Sequence, residues 1–253
     1  MRIGLTIGIG SSSILNLSGS ATVTEDDDTI VATATTFNPN SVANMAMWID
    51  LESSPNTIAT GLSQIDDLSG NSRHMTQATG TKQPVLTASS FGSKPGALFD
   101  GTNDTMKAAG STVGTTFTRF LVAKYASAAT TGTVCDKNAG GGGNQGRLYR
   151  ASSTDLHMNA GAEVVATTTP QAAHLYTMVV NGASTKLRVD GVDIGTITAS
   201  GQFAGNPVLG TFGDDASDPA NAYVGADLVY SAAISGTDLT NIEAYLKTKW
   251  GTP

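Results

Sequence analysis

Two short turn pairs divide the stretch between residues 175 and 197 into three segments. Asn181-Gly182 and Asp190-Gly191 are pairs that tolerate the positive φ angles of tight β-hairpins. The segments around them, residues 175–180, 186–189 and 192–197, are apolar and β-branched or alternate between apolar and polar residues, which is typical of strands. This arrangement predicts an antiparallel meander of three strands.

More strands are predicted along the rest of the chain. The candidates are residues 45–50, 117–125, 207–212 and 223–230. Only 14% of the residues are charged, while Gly, Ala, Ser and Thr are abundant, which suits short strands and tight turns. Because strands recur at short intervals with almost no helical periodicity, we expect an all-β sandwich of two antiparallel sheets. Trp48 is expected to be a core or edge aromatic residue of this sandwich rather than a sugar-stacking platform.

One short helix is predicted at the C-terminus. Its apolar face comprises Leu239, Ile242, Tyr245 and Leu246. Thr237 or Asp238 can cap its start, and Gly251 follows its end. We expect the apolar face of this helix to dock on the sandwich.

Residues 1–36 differ from the rest of the chain and form a predicted N-terminal assembly arm, with the compact domain at 37–253. Ile3, Leu5, Ile7 and Ile9 alternate with Gly and Thr, which predicts an extended strand with one apolar face. A lone strand is not stable in water, so this strand must pair with the domain or with another chain. The start lacks the continuous apolar segment of a signal peptide, and no stretch is apolar enough to span a membrane.

Several segments of the compact region resemble a known superfamily. They include KPGALFDGTNDTM at 94–106, YTMVVNGASTKLRVDGVDIG at 176–195 and YVGADLVYSAAISGTDLTNIEAYLKTKWG at 223–251. In their order they resemble the laminin-G-like branch of the concanavalin A-like lectin/glucanase superfamily, over residues 37 to 251. The resemblance implies a jelly roll of two antiparallel sheets that binds glycans or presents a surface, and it points to bacteriophage structural proteins.

The composition argues against several classes of function. A net charge of −7 without a basic stripe disfavours nucleic-acid binding. A single cysteine, Cys135, excludes an intramolecular disulfide. None of the four glutamates, Glu25, Glu52, Glu163 and Glu243, has a second glutamate nearby on the same strand, as the superfamily's retaining glucanases require. We therefore predict no catalytic residues.

Two kinds of binding site remain open. A glycan site needs aromatic rings beside planar polar groups, and the candidates are Tyr149, His157, Tyr223 and Arg147. A calcium site needs clustered oxygen ligands, and the candidates are Asp100, Asn103, Asp104, Asp214, Asp215 and Asp218. Asp and Asn also form turns, which is the interpretation that we favour for these six residues, so no cofactor is expected beyond this calcium alternative.

Together these observations predict a non-enzymatic bacteriophage virion protein. Its lectin-like domain decorates a capsid or tail, and residues 3–9 anchor it to other virion proteins and to copies of itself. Such a protein is made in the host cytoplasm and has no membrane or nucleic-acid partner. The alternative is an adhesin module that binds host-surface polysaccharide, with or without calcium, and a less favoured alternative is a glycoside hydrolase.

Overall fold

The computed structural model describes residues 21–26, 29–34, 37–54, 56–108, 110, 113–127, 131–138, 146–200, 204–213 and 217–253. The described residues form nineteen strands and one α-helix. The strands are β1 (Ala21–Asp26), β2 (Thr29–Ala34), β3 (Met45–Asp50), β4 (Asn56–Ile58), β5 (Leu62–Ile65), β6 (Met75–Thr76), β7 (Val85–Phe91), β8 (Lys94–Asp100), β9 (Met106–Ala108), β10 (Phe117–Tyr125), β11 (Gly132–Asn138), β12 (Arg147–Arg150), β13 (Asp155–Asn159), β14 (Glu163–Thr167), β15 (His174–Val180), β16 (Thr185–Val189), β17 (Val192–Ile197), β18 (Asn206–Leu209) and β19 (Asn221–Tyr230), and the helix is α1 (Gly236–Trp250).

Two large antiparallel sheets make up the domain. The eight-stranded sheet has the order β17-β16-β15-β10-β19-β8-β7, and β3 also pairs with β19. The nine-stranded sheet has the order β14-β13-β12-β11-β18-β9-β6-β5-β4. A separate hairpin joins β1 to β2. This architecture confirms the all-β, two-sheet antiparallel sandwich with a short C-terminal helix that the sequence predicts.

The predicted meander is the edge of the eight-stranded sheet. Strand β15 pairs with β16, and β16 pairs with β17. Asp190 and Gly191 form the turn between the last two strands with φ angles of 52° and 85°. These are the positive values that a tight turn between right-twisted strands requires, which is why this Asp-Gly pair is informative.

The helix α1 covers the outer face of the eight-stranded sheet. Ile242, Leu246 and Trp250 are buried, and a side chain on Gly225 of β19 would lie 2.8 Å from the Trp250 ring. With the helix on one face and the other sheet on the opposite face, β15 is buried along its whole length and β10 along nearly all of it. Burial on both faces explains why these strands are apolar without strict alternation.

The N-terminal cap of α1 differs from the prediction. The cap residue is Ser235, so Thr237 and Asp238 lie in the first turn, where the carboxylate of Asp238 faces the positive end of the helix dipole. At the other end Gly251 adopts φ 65°, and its N–H donates to Lys247 O, as the sequence indicates for a C-terminal glycine.

Two further predictions concern the strand at 207–212 and the N-terminal arm. The predicted strand at 207–212 ends at Leu209, because Gly210 takes a positive φ of 88° and Phe212 falls in the following loop. The predicted arm residues Ile3, Leu5, Ile7 and Ile9 lie outside the described residues, so strand pairing by the arm stays a prediction. In the described part of the chain, no helix is long and apolar enough to cross a membrane.

A buried ion pair lies within the eight-stranded sheet, and its guanidinium reaches across the core to the other sheet. Arg119 of β10 donates from Nε and Nη2 to the two carboxylate oxygens of Asp227, at 2.8 and 2.7 Å. The same guanidinium donates to Asp136 O and Val208 O of the nine-stranded sheet, at 2.7 and 3.1 Å. Burial is the largest single effect and lowers the pKa of Arg119, but the Asp227 carboxylate together with nearby Cys135 and Asp136 outweighs it, so the pKa is raised. The guanidinium therefore links the two sheets as a fixed positive charge.

Candidate functional site

A row of polar and aromatic side chains lies on the outer face of the nine-stranded sheet. Residues along β12 and β13 alternate between buried and partly exposed, with Leu148 and Met158 inside and Arg147, Tyr149 and His157 outside. Tyr149 pairs directly with His157 in the register of the two strands. The antiparallel register therefore brings three of the four predicted glycan candidates together. We call Arg147, Tyr149, His157 and Glu163 the outer-face row.

Arg147 lies at one end of the outer-face row and is held by four groups. Its Nε donates to Thr133 Oγ1 at 2.7 Å, and its Nη2 donates to the Asp218 carboxylate. The guanidinium lies 4.0 Å from the centroid of the Tyr149 ring and 4.6 Å from that of Phe212. Because planar guanidinium groups stack on aromatic rings and bind carboxylates at their edges, this site suits Arg and not Lys.

Tyr149, His157 and Glu163 form the rest of the row. The Tyr149 and His157 rings stack with 5.0 Å between centroids. Glu163 of β14 accepts hydrogen bonds from the Tyr149 hydroxyl and from Asn159 Nδ2, the latter at 3.0 Å. His157 Nδ1 lies 3.5 Å from Glu163 Oε2, and it is buried without a hydrogen-bond partner among the described residues.

The pKa shifts follow from this packing. Burial, followed by the hydrogen bond to Glu163, raises the pKa of Tyr149 to about 12. The hydrogen bond from Tyr149 is the largest of the effects that lower the pKa of Glu163. Burial lowers the pKa of Arg147, and the Asp136 carboxylate opposes this shift. At neutral pH the row therefore presents a neutral phenol, a carboxylate and a guanidinium.

This arrangement offers hydrogen-bonding groups of both kinds at a fixed spacing. Glu163 and Asp218 accept hydrogen bonds, and their side chains are 40% and 43% exposed. Arg147 donates hydrogen bonds through its guanidinium. Since the side chains already hold one another in place, binding a ligand requires little further ordering. Such a face suits a ligand with many hydroxyl groups.

Tyr223, the fourth glycan candidate, lies elsewhere. It is on β19 in the eight-stranded sheet, where it pairs with Lys124. The Lys124 ammonium lies 5.2 Å from the centroid of its ring. Trp48 packs edge-on against Tyr245 of α1, with 6.4 Å between ring centroids, as a residue that anchors the helix.

The calcium candidates are engaged in turns and ion pairs. Asp100 Oδ1 accepts from the backbone N–H of Thr102 and Asn103, and Asp104 Oδ2 accepts from Asp100 N–H at 2.9 Å. Asp218 pairs with Arg147, while Asp214 and Asp215 lie outside the described residues. The described ranges contain no group of three or more His, Cys, Asp or Glu residues placed to hold a metal ion. These contacts agree with turn formation, and calcium binding stays a prediction.

Glu163 and Phe212 belong to the site but were not among the glycan candidates. The signal for Glu163 is a turn at Gly161 followed by the segment Glu163–Thr167, which alternates strictly between exposed and buried residues. A hairpin with its turn at Gly161 places Glu163 beside Asn159. No comparable signal exists for Phe212, because a loop carries it to Arg147 from a position 65 residues away.

No protein-family model and no curated protein sequence matches this chain. Similar solved structures exist. The binding domain of Paraclostridial Mosquitocidal Protein 1 shares 12% identity with a TM-score of 0.56, and the match covers 85% of this chain and 56% of that one. A structure of botulinum neurotoxin type C, whose cell entry depends on interaction with two ganglioside molecules, shares 14% identity with a TM-score of 0.58, and the match covers 84% of this chain and 55% of that one.

A Trypanosoma rangeli sialidase in complex with sialic acid shares 12% identity with a TM-score of 0.58, and the match covers 93% of this chain and 37% of the sialidase. The fold is that of a lectin-like jelly-roll β-sandwich. This jelly roll spans 37% to 56% of the three chains that it resembles. At these identities the likeness concerns the fold, and the gangliosides and sialic acid are ligands of those proteins.

Proposed function

We propose that this jelly-roll domain is a carbohydrate-binding module whose sugar site is the outer-face row. The observation that carries the proposal is the convergence of Arg147, Tyr149 and His157 with the exposed carboxylate of Glu163 on one face of a rigid sheet. Sugar hydroxyls both donate and accept hydrogen bonds, and charged partners make the stronger ones. The ganglioside and sialic acid named for two proteins of similar fold support the same class of ligand.

The row binds a sugar through the rims of its rings and through its charged groups. His157 and Arg147 both lie against the Tyr149 ring, so the stacking capacity of that ring is used within the protein. The hydroxyl groups of a sugar then bridge the carboxylate of Glu163 and the guanidinium of Arg147. Because each of these groups sits on a strand, the spacing of the contacts is set by the sheet.

A glycan array followed by calorimetric titration of the best ligand tests this proposal. Arg147→Met keeps an unbranched apolar stem and removes the guanidinium with its charge, and we expect affinity to fall by about 10-fold or more, because a charged hydrogen bond contributes about 1.5–3 kcal/mol. Glu163→Gln keeps the shape of the side chain and is expected to weaken the same ligand.

Arg73→Met is the matched control, since Arg73 precedes β6, four strands away from β12 in the sheet order. It is expected to bind as the native chain does. An array without any ligand, or equal affinity for the Arg147→Met and Arg73→Met variants, contradicts the proposal.

A further inference from the structure

A second polar hollow of about 320 Å³ opens on the eight-stranded sheet. Its walls come from β7, the end of β10, the loop before β15 and the start of β19. The volume falls at the lower end of the roughly 300–1,000 Å³ typical of small-molecule sites. The hollow lies on a different sheet from the outer-face row, so it is a separate site.

Among the described residues, Lys124, the cation of the hollow, has no carboxylate partner. Its ammonium lies 5.2 Å from the ring centroid of Tyr223 and 5.5 Å from that of Phe91. Among the residues that the structure describes, no Asp or Glu pairs with this ammonium. Aromatic faces attract a cation but do not neutralise it, so the ammonium is available to an anionic ligand.

The walls of the hollow supply neutral hydrogen-bonding groups. Ser89, Ser90 and Gln171 line it, and none of its described lining residues is acidic. In the described part of the chain, the Ser89 hydroxyl and the Gln171 amide have no hydrogen-bond partner. The register between β7 and β8 shifts between Thr87 and Phe91, and Ser89 takes a left-handed φ of 58° there. This irregularity moves the serines out of the regular ladder and into the wall of the hollow.

We propose that the hollow binds a monosaccharide unit that carries a carboxylate group. The carboxylate pairs with the ammonium of Lys124, the sugar ring lies against Tyr223, and the sugar hydroxyls bond to Ser89 and Gln171. A single ammonium matches the single negative charge of a carboxylate, and the described lining contains neither the helix N-terminus nor the arginine fork that many phosphate sites use. The inference does not depend on the outer-face row, because the two sites share no residue.

Chemical-shift titration of the ¹⁵N-labelled full chain tests the proposal. The probes are D-glucuronate and N-acetylneuraminate, with D-glucose as the neutral match and inorganic phosphate as the anion without a sugar. We expect one or both acidic sugars to shift the amides around residues 87–90, 124, 171 and 223, and glucose and phosphate to have little effect. Lys124→Met is expected to weaken the acidic sugar by about 10-fold or more, as the loss of a charged hydrogen bond implies.

Three variants complete the experiment. Lys124→Arg restores the charge and is expected to restore binding, while Lys82→Met removes a charge outside the hollow and is expected to bind as the native chain does. Arg147→Met disrupts only the outer-face row, so it should leave the binding of the acidic sugar in the hollow unchanged. This variant therefore distinguishes failure of this inference from failure of the proposed function. The inference is overturned by any one of three results: neither acidic sugar causes shifts at these amides, glucose or phosphate binds as well as the acidic sugars, or Lys124→Met binds like Lys82→Met.

Discussion

Replacing Asp227 with alanine removes the partner of a guanidinium that is buried between the two sheets. The side chains of Arg119 and Asp227 are 2% and 0% exposed, so water cannot take the place of the lost carboxylate. Two charged hydrogen bonds disappear, and the hydrogen bonds from Arg119 to Asp136 O and Val208 O then have to hold an unneutralised charge.

The cost follows from the energetics of buried charges. Breaking a buried ion pair by removing one partner costs about 3–5 kcal/mol, which is a large part of the 5–15 kcal/mol that stabilises a typical domain. Replacing both partners with apolar residues removes both charges, so no unpaired charge is left in the core. We therefore expect the Arg119→Met, Asp227→Leu double variant to be at least about 2 kcal/mol more stable than Asp227→Ala.

Urea denaturation followed by tryptophan fluorescence measures these free energies of unfolding. Asp193→Ala is the control, because the Asp193 side chain is 48% exposed in its pairs with Lys186 and Arg188 and its loss should cost less than about 1 kcal/mol. If Asp227→Ala destabilises the domain no more than Asp193→Ala does, Arg119 is not the buried, paired charge that we describe.

Three further predictions concern the helix, pH and the cysteine. Gly225→Ala places a methyl group 2.8 Å from the Trp250 ring and should lower the free energy of unfolding by about 1–3 kcal/mol. Gly114→Ala, whose methyl group meets no atom within 4 Å, should keep a free energy of unfolding close to the native value in the same urea denaturation experiment. The hydrogen bond to Asp190 is the main cause that raises the pKa of His174. The stabilisation of the fold by this pair is therefore complete below the pKa of an unfolded histidine, near 6.5, and is lost as the pH rises through the higher pKa of the folded state. We expect His174→Gln to flatten this decline in stability in denaturation curves measured between about pH 5 and 8. Burial raises the pKa of Cys135 to about 12, so iodoacetamide should label it only in denaturant, and rapid labelling of the native chain contradicts its buried position.

The parts of the fold that the sequence predicts well have strong local signals. Phe117–Tyr125 and Val192–Ile197 match their predicted limits, because β-branched or aromatic runs there end at turn residues. In the hairpin of β13 and β14, strand β13 lacks such a signal, since Asp155–Asn159 contains no β-branched residue. Tertiary packing, rather than local preference, stabilises that hairpin.

The candidate site is predictable only in part for a similar reason. Arg147, Tyr149 and His157 are identifiable as surface residues with suitable chemistry, but their meeting depends on the register between β12 and β13. Phe212 and Asp218 reach Arg147 through a loop, and Tyr223 is carried to the other sheet by its strand. Contacts between residues far apart in the chain are set by topology, which residue types alone do not specify.

The role of the N-terminal segment stays a prediction, as does the virion location that goes with it. Deletion of residues 1–24 is expected to leave a folded domain that no longer joins its assembly. Normal assembly of the truncated chain contradicts anchoring through Ile3, Leu5, Ile7 and Ile9. The absence of catalytic activity also stays a prediction, and release of new reducing ends from glycans would contradict it.

The most direct test of the central claim is a ¹H–¹⁵N titration of the labelled chain with the glycan that the array selects. The account predicts that the largest shifts fall on Arg147, Tyr149, His157 and Glu163, including the Arg147 side-chain Nε–H. Binding that leaves the signals of β12, β13 and β14 unchanged would show that the outer-face row is not the carbohydrate site.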